Sequence, residues 1–331
     1  MSHIELLPKA ELHLHIEGTL EPDMVFALAE KNGVSLPYNS IDDLKSRYSF
    51  TDLQSFLDLY YACMSVLRTE DDFADLASAY LARAWAQGVR HAELFFDPQA
   101  HTSRGVPIDA VIDGLQRGLA EAHQQWGMTG GLILCFLRHL PASEAMDTLE
   151  SVAHRSGDLL GVGLDSAEVG FPPHLFAEVF TRARELGLHT VAHAGEEGPP
   201  EYVWEALRSL QVERIDHGVR SLEDPELVAH LRDRRVPLTV CPLSNVRLGG
   251  VASIELHRLR DMLDAGLVVT INSDDPAYFG GYIADNYRAV EEALGLSADQ
   301  LRQMAAFSIE ASFLSAEAKA PLLAEIAAWS G

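Results

Sequence analysis

Short apolar runs punctuate the chain at 10–15, 89–96, 131–137, 160–165, 189–194, 214–218, 236–241 and 267–272, and most end in polar, chemically capable residues. They are near-continuous in Val, Ile, Leu and Phe, the pattern of parallel strands covered on both faces; a half-exposed strand would alternate. Helical patterns lie between them. Thr69-Glu70-Asp71-Asp72 reads as a capping-box start, with Gly88 as the stop of that helix. Asp224-Pro225 opens another helix with proline at its first position, and Ser297-Ala298-Asp299-Gln300 opens one near the C-terminus. Strands alternating with helices imply a parallel sheet with right-handed crossovers, and eight of them favour closure into a (β/α)8 TIM-type barrel.

The stretch from 21 to 87 is longer than one crossover needs. It predicts extra helices inserted after strand 1, one at 52–61 among them, packed over the barrel mouth as a lid or pocket wall. No Pro- or Ser-rich linker, low-complexity tract or strong repeat interrupts the 331 residues, so the reading is one domain over 1–331.

Composition narrows the partners. Hydrophobic residues, 47% of the chain, supply a large core, while a formal charge of −24 repels phosphate backbones and anionic lipid heads. The expected partner is a small molecule, not nucleic acid or a membrane surface. The N-terminus lacks a basic segment followed by an apolar one, and the longest apolar run, 132–137, is far too short to span a bilayer. Cys63, Cys135 and Cys241 are scattered in apolar contexts with no Cys-x-x-Cys pair, which points to buried free thiols in a reducing cytoplasm. Nothing in the sequence fixes an oligomeric state.

The strand ends carry the candidate chemistry, as expected for such a barrel. His13 and His15 are two residues apart on strand 1 and point to one face. Alone, a His-x-His is a weak signal. His193 ends strand 5, and Asp274 follows strand 8 in Asn272-Ser273-Asp274-Asp275-Pro276. An aspartate at the end of an apolar strand is costly to bury unless it is paired or ligates a metal. Three neutral imidazoles and one carboxylate suit zinc, with a position left for water. The same ligands accept iron, so the residues alone leave that choice open. Many metal-dependent barrel hydrolases bridge two ions with a lysine at strand 4. The four lysines here, Lys9, Lys31, Lys45 and Lys319, are all far from it, which argues for one zinc per chain. His91-Ala92-Glu93 matches half of the zinc signature of cytidine-type deaminases, but no Cys-x-x-Cys follows, so His91 and Glu93 read as structural.

Zinc lowers the pKa of its bound water to roughly 7, and a hydrolase then needs a proton donor for the leaving side. Glu196, three residues past His193, is placed to face a substrate. His217, in Ile215-Asp216-His217-Gly218, ends strand 6 and can act on the water as base or electrostatic anchor. Asp275 follows a ligand and should point elsewhere, at the substrate or as a cap on the turn before Pro276.

These residues carry a resemblance. Ala10-Glu11-Leu12-His13-Leu14-His15-Ile16-Glu17-Gly18, His193-Ala194-Gly195-Glu196, Asp216-His217-Gly218 and Ser273-Asp274-Asp275-Pro276 resemble the motif set of the adenosine/adenine deaminases, over nearly the whole chain. The resemblance implies zinc-assisted hydrolytic deamination of a 6-aminopurine: zinc on His13, His15, His193 and Asp274, Glu196 protonating N1, His217 orienting and activating hydroxide, and Asp275, protonated or sharing a proton, on N7. Adenosine-specific members carry Asp where Glu17 stands, to meet the ribose, and Gly where Glu168 stands, to meet N3 through its N–H. Glu168, larger and anionic, is expected to crowd a sugar and to accept the N9–H that only a free base has. The expected substrate is therefore adenine, giving hypoxanthine in purine salvage. Gly195-Glu196-Glu197-Gly198-Pro199-Pro200-Glu201-Tyr202 and Phe95-Phe96-Asp97-Pro98-Gln99 also look like the adenine branch. An N6-substituted adenine deaminase, an adenosine deaminase and a non-catalytic purine-binding protein are the alternatives; the last would be expected to lack a ligand or Glu196.

Overall fold

The computed structural model describes residues 3–331. Eight strands, β1 (Lys9–His15), β2 (Val89–Phe96), β3 (Thr129–Leu137), β4 (Gly161–Asp165), β5 (His189–Ala194), β6 (Arg214–His217), β7 (Pro237–Val240) and β8 (Val268–Ile271), follow one another in spatial order, each parallel to the next. The barrel closes just past β8. Asp274 N–H donates to His13 O at 3.1 Å, and His15 N–H donates to Asp274 O at 3.0 Å. The closing seam thus lies among the predicted metal ligands, and β1 backbone holds Asp274 in place.

β2 and β5 have the extents that their apolar runs predict. β3 begins earlier, at Thr129, because Thr129 and Gly130 pair with His91 and Ala92 although they carry no apolar signal. β7 and β8 stop short of Cys241 and Asn272. Leu94, Phe96, Leu132, Leu134, Val162 and Leu164 join the main core between strands and helices. Phe95, Ile133, Cys135 and Val191 form a separate small cluster. Phe95 and Phe96 point to opposite faces of β2, so this cluster fills the barrel interior. Glu93, two residues before Phe95, points inward too, and pairs with Arg214 at 2.6 Å with both side chains fully buried.

The insertion after β1 holds helices at Pro22–Asn32, Ile41–Ser46, Leu53–Met64 and Glu70–Ala86. Asp52 accepts from Ser55 N–H and Thr69 from Asp72 N–H, each satisfying an otherwise orphaned donor of the first helical turn. Asp224 and Ser297 cap the helices Pro225–Arg234 and Ala298–Ala311 in the same way. Among the described residues no helix is long and apolar enough to cross a membrane.

Candidate metal centre and active site

His13, His15, His193 and Asp274 converge, all buried, with one donor atom of each lying within 4.8 Å of the others. His15 Nε2 is 3.1 Å from His193 Nε2. Asp274 Oδ1 is 3.4 Å from His13 Nε2 and 3.5 Å from His15 Nε2. For ligand bonds of about 2.05 Å, the edge of a tetrahedron is about 3.3 Å, so these separations suit a tetrahedral cation. The outward nitrogens support this. His13 Nδ1–H donates to Thr239 O at 3.1 Å, which leaves Nε2, buried and without a hydrogen bond among the described residues, as a lone pair aimed at the centre. His15 Nδ1 faces Asp165 at 3.5 Å and His193 Nδ1 faces Asp216 at 3.6 Å, the carboxylate–imidazole arrangement that orients metal ligands.

Electrostatics agree. Burial, and then the neighbouring imidazoles, lower the His193 pKa and keep that ring neutral, the form that ligates. Burial would raise Asp274, but His13, His217 and His15 outweigh it and hold the carboxylate ionised. Burial would lower His13, but Asp274 outweighs it and raises the pKa, so the cluster demands positive charge beside that carboxylate. Cys241 also lies near His13, His217 and Asp274, but burial pushes its thiol well up, and a protonated thiol is a poor ligand. The site is built for a metal cation.

A cavity opens over this cluster. Glu196, His217 and Asp275 all line it, as the motifs imply. His217 Nε2 is 3.5 Å from Glu196 Oε2. Burial, then the charge of Asp274, raises Glu196 and Asp275 well above the usual carboxyl range, which favours the protonated form of each. Burial, then His13, lowers His217 to about 3. Ser166, His217 and Asp274 have φ of 71°, 62° and 64°, a left-handed conformation that costs a non-glycine residue energy. All three line the cavity, where the strain aims their side chains inward. Asp275 packs so close to Gly18 that a Cβ there would collide with Asp275 Oδ1. The inserted helix Leu53–Met64 roofs the cavity with Leu53, Phe56, Leu57, Tyr60 and Tyr61.

Two expectations need correction. Glu168 does not line the cavity. Its carboxylate accepts four backbone N–H groups, from Gly195 at 2.7 Å, Glu196 at 3.1 Å, Glu197 at 2.8 Å and Gly198 at 2.8 Å. So engaged, it holds the loop that carries Glu196, with its side chain outside the cavity wall. Glu17 is likewise turned away. Its Oε1 accepts from Asp97 N–H at 3.1 Å and His101 Nε2–H at 2.8 Å, and its side chain is not in the cavity wall.

Sequence reasoning missed Asp97 and Asp165 as cavity groups. Asp97 Oδ1 and both Asp165 oxygens are buried without a hydrogen-bond partner among the described residues, and both residues line the cavity. Their signal was present, since each lies at the end of an apolar strand, like Asp274. Arg138 is a clamp: it donates to His193 O at 2.7 Å, and to Phe171 O through Nε and Nη2.

Comparison with known proteins adds the lineage. The model of the Adenosine deaminase family matches residues 8–329. The chain is 61% identical over 325 residues to an adenine deaminase of Streptomyces coelicolor, covering 98% of this chain and 96% of that one. It is 58% identical to an adenine deaminase of Cupriavidus necator, covering 98% and 92%. The crystal structure of adenine deaminase from Arthrobacter aurescens superposes with a TM-score of 0.96 at 53% identity, covering 98% and 99%. An amidohydrolase from Burkholderia ambifaria, solved with bound Zn, superposes with a TM-score of 0.90 at 29% identity, covering 99% and 90%. With its metal-ligand cluster, its roofed cavity and a match spanning nearly its full length, this chain belongs to the adenosine deaminase family.

Proposed function

We propose that this chain hydrolyses the 6-amino group of adenine, giving hypoxanthine and ammonia, with one zinc ion held by His13, His15, His193 and Asp274. The observation that carries the reading is the convergence of those four residues beneath buried Glu196, whose pKa is raised, in a chain about 60% identical to adenine deaminases end to end. The bound zinc supplies Lewis acidity and lowers the pKa of a water molecule to roughly 7.

The chain's own residues do the rest. Glu196 gives its proton to N1, which makes C6 electrophilic, as the water oxygen bonds to C6. The Glu196 carboxylate takes one proton of that water and passes it to the amino nitrogen. The C6–N bond breaks with its electron pair leaving on ammonia, and the C6 hydroxyl proton returns to Glu196. Adenine and water have become hypoxanthine and ammonia, and the carboxyl is restored. Asp275, protonated, donates to N7, and His217 holds the added oxygen. The aromatic roof of Phe56, Tyr60 and Tyr61 excludes water from the ring. Asp97 and Asp165 line the same cavity and lie close enough to each other to share a proton, which leaves a remaining carboxyl oxygen to accept the N–H of an unsubstituted base, the part assigned to Glu168 from sequence.

Ammonia release measured with adenine, 9-methyladenine, adenosine and N6-methyladenine tests this. Adenine should exceed adenosine and 9-methyladenine by roughly 10³-fold or more in kcat/KM, because a buried site built to bond an N–H rejects analogues lacking it. A preference for adenosine would refute the base specificity and leave the metal site standing; a preference for N6-methyladenine would move the substrate to the N6-substituted class.

A further inference from the structure

The atom His217 presents to the cavity depends on which ring nitrogen carries its proton, and groups outside the cavity wall decide that. The Leu259 backbone N–H donates to His257 Nδ1 at 3.0 Å. A backbone amide can only donate there, so Nδ1 of His257 is the acceptor and its proton sits on Nε2. That Nε2–H donates to Asn245 Oδ1 at 3.2 Å. Burial holds the His257 pKa down to about 4, so the ring is neutral at neutral pH.

The Asn245 amide is thereby fixed, with Oδ1 toward His257 and Nδ2 toward His217. The flipped amide would present Nδ2 donors to His257 Nε2 while Nδ1 also accepts, which would leave that ring without any proton. Asn245 Nδ2 reaches His217 Nδ1 at 3.4 Å, and an amide NH2 donates. His217 Nδ1 is therefore an acceptor and its proton is on Nε2. Nε2 is the nitrogen that faces Glu196 Oε2 at 3.5 Å and Asp274 Oδ2 at 3.9 Å. All three side chains in this relay are buried.

We propose that Asn245 and His257 are positioning residues that lock His217 as the Nε2–H tautomer, so that His217 donates a hydrogen bond to the oxygen added at C6 and does not remove a proton from it. The catalytic part of this rests on the deaminase reading above. It requires Glu196 alone to carry the protons, as in the sequence of transfers already given. Neither Asn245 nor His257 carried a sequence signal, since both lie outside the strand ends.

The test is the ring-nitrogen NMR spectrum of histidine-labelled, zinc-loaded protein, with the His217 signals assigned by their loss in His217→Asn. The expected result is a neutral His217 protonated at Nε2. A proton on Nδ1 overturns the proposal without recourse to any relay variant. Asn245→Asp, which turns the donor into an acceptor, should move the His217 proton to Nδ1. With adenine it should lower kcat by roughly 10²–10³-fold, the loss of one oxyanion donor, with KM within about 3-fold and zinc content unchanged. Unchanged kcat in folded, zinc-loaded Asn245→Asp also overturns it. If the wild-type protein releases no ammonia from adenine, the deaminase reading and the catalytic part of the proposal fall together, whereas the tautomer is measured independently of turnover.

Discussion

Glu196→Gln is expected to keep the fold and a full complement of metal while losing adenine turnover by about 10³-fold or more, toward the upper end of what one acid–base group contributes. Glu196 is three residues past His193 and is not among the four converging ligands, so metal binding does not depend on it. Its carboxyl is buried, and burial together with Asp274 raises its pKa, which favours the proton-carrying form. A glutamine of the same shape can still donate a hydrogen bond to N1 but cannot release the proton. The loss should therefore fall on kcat, with KM little changed. Steady-state ammonia release, read beside metal content per chain, checks this. Activity within 10-fold of wild type would remove Glu196 from the mechanism, and a parallel loss of metal would make it a structural residue.

Arg214→Met should be among the most damaging changes to stability, at about 3–5 kcal/mol, because it leaves Glu93 charged and unpaired inside the barrel. Arg214 pairs with Glu93 at 2.6 Å and donates to Leu12 O at 3.0 Å, and Phe313 N–H donates to Glu93 at 2.6 Å. Burial alone would raise the Glu93 pKa; Arg214 and then His91 outweigh it and bring it from 4.5 to about 2. A depressed carboxylate pKa stabilises the fold above the unfolded value, and the contribution is lost as pH falls from about 4.5 through about 2. Thermal unfolding at pH 7 should show a drop in Tm of roughly 5 °C for Arg214→Met. Glu93→Leu combined with Arg214→Met should recover much of that loss, since it removes the stranded charge. A single variant as stable as wild type would contradict the buried-pair account.

The fold was legible because eight apolar runs are the direct imprint of strands buried on both faces, and because Asp52, Thr69, Asp224 and Ser297 mark helix starts by a local hydrogen bond. The metal ligands were legible because His13 and His15 share a strand face and Asp274 ends an apolar run. What sequence could not supply was direction. Glu168 stands where a substrate contact was expected, but its side chain turns to the Gly195–Gly198 backbone, a choice made by loop geometry and not by residue type. Glu17 is drawn off to Asp97 N–H and His101 for the same reason. Asn245 and His257 matter only through a chain of contacts that spans separate loops.

The most direct measurement of the central claim is zinc reconstitution of chelator-stripped protein, followed by ammonia release from adenine. The stripped protein should show no turnover, and activity should return linearly with added zinc and break at one zinc per chain. Turnover without metal, or a break at two, would contradict it.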